Sequence, residues 1–259
     1  MRNIIKSQFF QIVRDKVIRW MLVIAISMQI LIILLPDWLG TGKATTTSEF
    51  FAVDGGMGVF MFPLFFLIVV TAEICGVDFL DKTHNYELMG GHRRIEVFLG
   101  RVIPALVIGG GGAFLLMLLP YGIHVVLYGW GTKIAFGQVV LRWLLMLLPL
   151  LRLVCEFALL TFLLKNPYII MGLGYMFFIL TTYLSEVIDS FNVFLGITNL
   201  SLLTMVSKWM TFGLDAKMNY IFEASLSAEI VWGTIIASVG FGVAALYLGY
   251  VFFKNDDMN

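Results

Sequence analysis

Charge is scarce in this chain, and its scarcity argues against a water-soluble domain. Only 13% of the 259 residues are charged and 60% are hydrophobic, whereas soluble domains carry roughly a quarter charged residues. The mean hydropathy is +0.93. The formal net charge is zero, and no basic tail or zinc-ligand spacing is present, which argues against a nucleic-acid partner. This composition is typical of an integral membrane protein.

Residues that carry chemistry are also few. Cys75 and Cys155 lie in different apolar runs, which predicts two packing residues and no disulfide. The three histidines are scattered, so we expect solvated or interfacial side chains and no metal site. The sequence has no Walker phosphate loop, no HExxH and no Gly-x-Ser-x-Gly. We therefore expect no enzymatic activity from this chain alone and no cofactor in it.

A run of four glycines, Gly109–Gly112, resembles a phosphate loop only in composition. It lacks the Lys-Ser/Thr that follows such a loop, and its neighbours are apolar. Small residues in a membrane helix allow close approach of a second helix. The run therefore predicts tight helix packing.

Six apolar segments are long enough to cross a bilayer, which takes about 20 residues of helix. Most of the connections between them are short, so the sequence predicts a single all-α, polytopic transmembrane domain over residues 1–259. The segments are Val17–Leu35, Gly55–Cys75, Val102–Tyr128, Gln138–Leu164, Tyr168–Leu184 and Glu229–Phe253.

An amphipathic elbow helix is predicted ahead of the first span, in residues 1–16. Its apolar stripe contains Ile5, Phe9, Ile12 and Val13, and Phe10 is the exception to the pattern. Such a helix suits the membrane surface. The first span follows without a small-residue cleavage site, so we expect it to be retained.

Residues 185–228 form the longest region that does not span. Within it, Phe191–Val206 is apolar but short for a crossing and interrupted by polar residues. These features favour a re-entrant or interfacial element on the outer side, before the last span. A seventh span at this place stays open as the alternative.

The distribution of lysine and arginine predicts the orientation. With six spans, eleven of the 17 Lys and Arg residues lie on one side and five on the other, and Arg152 lies within a span. Because basic residues are retained inside the cell, the richer side is expected to be cytoplasmic. Both termini then lie in the cytoplasm, and the expected location is a bacterial cell membrane.

The stretch Glu73–Arg101 is the one long polar segment between two strongly apolar ones, and it is dense in positive charge. Its charge places it in the cytoplasm. Thr83 suits a helix N-cap, His84–Met89 a short helix, and Gly90-Gly91 its end. The sequence therefore predicts a short helix presented at the membrane surface.

The chain resembles the permease subunits of ATP-binding-cassette exporters of the second type, the ABC-2 family, over its whole length. Elbow helix, cytoplasmic loop, outer re-entrant region and short charged C-terminus follow the family's order. Lys82-Thr83 stands where relatives often have Gly-Thr, which leaves the turn geometry open. The family's sequence of residue types in the loop matches Glu73, Phe79, Thr83, Leu88, Gly90 or Gly91, Arg93 or Arg94, and Arg101.

The resemblance implies that loop 76–101 couples the spans to a separate cytoplasmic ATPase, which would hold ATP and Mg. It also implies a second copy or a paralogue of this chain, a lipid environment, and export of a hydrophobic or amphipathic peptide antibiotic, lipid or drug. A helix docked in a groove would use Tyr86, Leu88 and Met89 as apolar anchors, with rim charges from Asp81, Glu87, Arg93 and Arg94. A merely solvated loop is the alternative. The expected coupling residues are Asp81, Thr83, Tyr86, Glu87, Leu88, Met89, Arg93 and Arg94.

Among the ionisable residues of the apolar segments, Glu73, Arg152 and Glu156 are the ones expected to lie within the membrane. Arg152 and Glu156 are four residues apart and share a helix face. A lone charge in mid-membrane costs about 2.5–3.5 kcal/mol on insertion scales, so they are expected to pair or to face a polar cavity. The pair is either structural or part of the substrate path.

A second class of function stays open from the sequence alone. The chain could be a non-transporting membrane protein, either an immunity factor that sequesters its target or an enzyme with an unrecognised site. An ATPase partner separates the two classes, because only the exporter needs one.

Overall fold

The structure is a computed structural model that describes residues 2–38, 46–48, 57–80, 83–132, 135–174, 176, 180, 212–214, 220–222 and 228–255. Helices account for most of this part of the chain. In order they are α1 (Arg2–Arg14), α2 (Lys16–Trp38), α3 (Met57–Leu80), α4 (Thr83–Met89), α5 (Arg94–Pro104), α6 (Gly111–Tyr128), α7 (Phe136–Leu164) and α8 (Ala228–Lys254). A π-helical segment, Ala105–Gly110, joins α5 to α6 without a break.

Four helical segments in the described residues have the length and apolar composition of membrane spans. They are Phe62–Leu80, Arg94–Tyr128, Phe136–Leu164 and Val231–Lys254. They correspond to the second, third, fourth and sixth predicted spans and are compatible with a multi-pass membrane protein. The first predicted span forms α2, which has 23 residues. The fifth, Tyr168–Leu184, is helical over 167–174 and otherwise lies largely outside the described residues.

Helix α3 forms the centre of the bundle and contacts α2, α6 and α7. Its side chains Leu67, Ile68 and Val70 are completely buried. From Met57 to Val70 the helix is apolar on every face, as expected of a helix surrounded by others. Helix α8 packs mainly along α7, where Gly242 and Gly249 bring it close to the α7 backbone.

The glycine run packs helices closely, as predicted. A Cβ at Gly109 would lie 3.0 Å from Thr71 Oγ1 of α3, and one at Gly110 would lie 2.9 Å from Leu151 Cδ2 of α7. At Gly112 the nearest atom would be Phe66 Cε1, 2.8 Å away. These distances are shorter than a normal carbon contact, so larger residues would push the helices apart.

The buried face of α1 differs from the predicted stripe. Ile4, Gln8 and Ile12 are buried, whereas Val13 is exposed. Ile4 packs onto α5 at Gly100, where a Cβ would come within 2.6 Å of Ile4 Cγ2. The stripe is rotated because Gln8, a polar residue that periodicity assigns to the outside, has a partner inside the protein.

Two short strands, β1 (Phe212–Leu214) and β2 (Tyr220–Phe222), pair antiparallel with Gly213 opposite Ile221. They lie in the region 185–228, for which a re-entrant element and no strand was predicted. The all-α fold class is confirmed by the helices of the described residues, and these six residues form a short pair of strands beside them. The segment Phe191–Val206 lies outside the described residues.

Candidate functional site

The candidate site lies at one end of the bundle, which we call the loop end. There α3 ends, α4 follows, and α5 begins. Helix α4 ends at a glycine turn: Gly90 N–H donates to Tyr86 O at 2.9 Å, and Gly91 adopts φ +85°. Glycine takes this left-handed conformation without strain, so the predicted end of the short helix is confirmed.

A buried arginine ties these three helices together. Arg101 Nε donates to Asp78 Oδ2 at 2.7 Å, and Arg101 Nη2 donates to Glu87 Oε2 at 3.0 Å. We call these three residues the Arg101 cluster. Asp78 belongs to α3, Glu87 to α4 and Arg101 to α5. The cluster therefore fixes the short helix to the ends of two longer ones.

Arg101 occupies a buried position, where its side chain is only 1% exposed. Its third contact, from Nη1 to Val97 O at 3.2 Å, satisfies a further donor. A buried guanidinium is stable only when its donors find acceptors, and its planar fork can serve two carboxylates at once. Gln8 Nε2 donates to Asp78 Oδ2 at 3.4 Å, which brings α1 into the same network.

Aromatic rings continue the network toward α7 and α8. Phe98 of α5 lies 5.0 Å from Phe162 of α7 and 6.0 Å from Phe253 of α8, between ring centroids. Phe79 of α3 meets the last two rings edge-on, at 6.0 and 6.2 Å. We call these four residues, with Tyr250, the aromatic cluster. Such ring pairs add about 0.5–1.5 kcal/mol beyond their burial.

A backbone contact closes the same end. Arg94 Nη1, at the start of α5, donates to the carbonyl oxygen of Lys254 in the last turn of α8. The last carbonyls of a helix lack partners within it, so a guanidinium is a favourable cap. The beginning of α5 is thereby tied to the end of the last helix.

The outer surface of α4 carries two of the three predicted anchors. Tyr86 is 71% exposed and Met89 is 78% exposed. Leu88 instead packs against the core. Glu87 was predicted as a rim charge, but its carboxylate faces Arg101, because the buried guanidinium needs a second acceptor. Arg93 is exposed.

The side chains of two other predicted coupling residues, Asp81 and Thr83, lie outside the described residues. Their coupling roles therefore stay predictions. Thr83 itself is the first residue of α4.

The predicted contact between Arg152 and Glu156 is present, with 2.8 Å between Arg152 Nε and Glu156 Oε1. Arg152 is buried, and its guanidinium carbon lies 5.4 Å from the centre of the Phe241 ring on α8. The pair therefore stands at the interface of α7 and α8, in the middle of α7. It is separate from the Arg101 cluster.

Glu73 lies on α3, less than two helical turns before Asp78, and it is not part of the Arg101 cluster. Its side chain lines a polar cavity beside α1. No group of three His, Cys, Asp or Glu residues within the described part of the chain is arranged to hold a metal ion.

Arg101 was predicted as part of the loop motif, but its partners Asp78 and Glu87, and the contact of Gln8 with Asp78, were not predicted. One feature of the sequence indicates the contact between Asp78 and Arg101. Asp78 lies just after one apolar segment and Arg101 just before the next, so antiparallel spans bring the two charges to a similar depth. The partner of a buried charge is then the opposite charge at that depth.

Comparisons with protein-family models, with curated proteins and with solved structures found no match to this chain. The family resemblance described above therefore stays a prediction.

Proposed function

We propose that this chain is the membrane subunit of an ATP-driven exporter of the ABC-2 type, with six spans, the loop end in the cytoplasm and a second copy or paralogue beside it. A separate ATPase holds ATP and Mg and docks on α4. The substrate class is hydrophobic or amphipathic. This chain supplies the path through the membrane, and the ATPase supplies the energy.

One observation carries the proposal. Helix α4 presents Tyr86 and Met89 outward while its inner side is held by Glu87 in the Arg101 cluster. A loop that is merely solvated needs no buried arginine on its inner side. A helix that transmits movement needs such an arginine, because a displacement of α4 reaches the spans only if the connection is stiff.

The contacts supply a route for that displacement. A push on α4 acts through Glu87 and Arg101 on α5 and through Asp78 on α3. Phe98 of α5 contacts Phe162 of α7 and Phe253 of α8, so a movement of α5 acts on these two helices. Dense packing transmits strain because interiors have low compressibility. The route ends at α7, which carries Arg152, and at α8, which packs against it.

The exposed anchors give a sharp test. The full-length chain is expressed with a candidate ATPase, and the complex is purified by a tag on the chain. The double variant Tyr86→Asp, Met89→Asp is expected to insert normally. The amount of ATPase that copurifies with it is expected to fall at least about tenfold below the wild-type amount, and the stimulated ATP hydrolysis is expected to be lost, since buried aromatic anchors dominate such contacts. Leu88 is left unchanged because it packs inward.

The matched control is Tyr86→Phe with Met89→Leu, which keeps an apolar side chain at the same two exposed positions. It is expected to retain the ATPase. Undiminished ATPase binding by the Tyr86→Asp, Met89→Asp variant contradicts the docking role. Absence of any ATPase partner, with retained binding of an antimicrobial peptide, favours the sequestration alternative.

A further inference from the structure

A polar cavity of about 220 Å³ lies between α1, the start of α2 and α3. Its polar lining consists of Gln8, Gln11, Asp15, Glu73 and Asp78, and Ile12, Ile18, Ile74 and Val77 supply the apolar part. The volume is several times that of a water molecule, about 30 Å³. The cavity thus has room for a small polar group.

Glu73 is the residue in this cavity that needs a partner. It is 8% exposed, and its Oε2 is completely buried without a hydrogen-bond partner among the described residues. The other two carboxylates are engaged: Asp78 accepts from Arg101, and Asp15 Oδ1 accepts from Ile18 N–H at 3.1 Å, capping α2. A buried carboxylate without a donor is unfavourable.

The lining restricts what that partner can be. Carboxylates only accept hydrogen bonds when ionised, so the partner must donate and is best positively charged. The described residues that line the cavity include no lysine or arginine to play this part. They also include no aromatic ring, which a quaternary ammonium group would require. A primary ammonium group, with three N–H donors, fits both restrictions.

The surroundings favour a particular source for the ammonium group. Arg19, next to the cavity, donates from Nε to Asp15 O at 3.2 Å and from Nη2 to Arg14 O at 3.1 Å. Arg14, Lys16 and Arg19 are exposed. Negative charge inside the cavity and positive charge at this junction match a zwitterion whose ammonium points inward and whose phosphate stays outside.

We propose that this cavity binds a primary ammonium group, supplied by the headgroup of an aminophospholipid at the membrane surface, with Glu73 as its main acceptor. Gln8, Gln11 and Asp15 offer further oxygen atoms. The lipid joins α1 to α3 and steadies the elbow helix against the bundle. This inference does not depend on the proposed export function.

The test uses the purified full-length chain in a neutral detergent with dihexanoyl phosphatidylethanolamine, dihexanoyl phosphatidylcholine or free ethanolamine added. Native mass spectrometry and thermal unfolding are the readouts. The two lipids differ only at the headgroup nitrogen, which carries three N–H donors in the first and three methyl groups in the second. The wild-type chain is expected to bind the ethanolamine lipid at least about tenfold more tightly than the choline lipid, as a charge-assisted hydrogen bond implies.

Glu73→Gln is expected to abolish this preference, and Asp15→Asn to reduce it, since asparagine still caps α2. Glu96→Gln is the matched control, because Glu96 does not line the cavity and glutamine also completes a capping box. It is expected to keep the preference. If Glu73→Gln fails to fold, Asp15→Asn decides the question.

The competition experiment with free ethanolamine and the comparison of the two lipids distinguish the possible outcomes. Competition by free ethanolamine supports the ammonium site and shows that the headgroup amine alone suffices. Binding of the lipid without such competition supports the site with lipid as its source. Equal binding of the two lipids by the wild-type chain, or a preference that survives both Glu73→Gln and Asp15→Asn, overturns the proposal.

Discussion

Arg101 joins three helices at the loop end, so its removal is a direct perturbation of the connection between them. Arg101→Met keeps much of the volume and removes both charge-assisted hydrogen bonds to Asp78 and Glu87. Each such bond contributes about 1.5–3 kcal/mol, and stranding one partner of a buried pair costs about 3–5 kcal/mol.

The two carboxylates moderate this cost. Asp78 and Glu87 keep 16% and 25% side-chain exposure, so water can take the place of Arg101 in part. We therefore expect a loss of about 2–4 kcal/mol of stability at the loop end. Arg101→Lys is expected to lose less, because an ammonium group keeps the charge but does not match two carboxylates at once.

Hydrogen exchange of the α4 amides measures the effect where it occurs. In Arg101→Met, the amides of Thr83–Met89 are expected to exchange at least about tenfold faster than in the wild-type chain. Arg93→Met is the matched control, because Arg93 is an exposed arginine of the same segment. Its effect is expected to stay within about 0.5 kcal/mol.

A rescue separates charge from packing. Adding Asp78→Asn and Glu87→Gln to Arg101→Met removes the stranded charges, so the triple variant is expected to regain at least half of the lost protection. Unchanged exchange of α4 in Arg101→Met would refute the idea that this arginine holds the helix.

The remaining predictions concern other parts of the chain. Either single change, Arg152→Leu or Glu156→Leu, is expected to lower thermal stability more than the double change, because each leaves one charge of the pair without its partner; a double variant less stable than both singles would mean that the partners lie elsewhere. In the double variant, recovered export marks a structural pair and lost export a place on the substrate path. A cysteine introduced in place of Asn259 is expected to react with a membrane-impermeant maleimide only after the cells are opened, and one in place of Lys217 is expected to react in intact cells; reaction at position 259 in intact cells would require a seventh span. Gly100→Leu is expected to cost about 1–3 kcal/mol by overpacking against α1, measured by thermal unfolding, and an unchanged Tm would contradict the close packing there.

Local chemistry made much of the fold predictable. The length of apolar runs located the helices, because a bilayer demands about 20 apolar residues in succession. The glycines after Met89 located the end of α4, since a left-handed residue is needed there. The four-residue spacing of Arg152 and Glu156 predicted their contact, because both stand on one helix.

What the sequence concealed depends on partners distant in the chain. Gln8 is buried against Asp78, seventy residues later, and periodicity alone assigns a polar residue to the outside. The same contact rotates α1 and exposes Val13. Glu87 faces inward for a similar reason. The strands Phe212–Leu214 and Tyr220–Phe222 are too short for an alternating pattern to be recognised.

The central claim is that α4 is the docking helix for an ATPase, and a photocrosslink tests it directly. The photoreactive amino acid p-benzoylphenylalanine is placed at position 89, and cells that make the full-length chain are irradiated. A second chain carries it at position 126, an exposed place at the far end of the helix that begins with Arg94. The proposal predicts a covalent adduct from position 89, and none from position 126, with a protein that contains a Walker phosphate loop. Correct insertion of both chains without such an adduct from position 89 would contradict it.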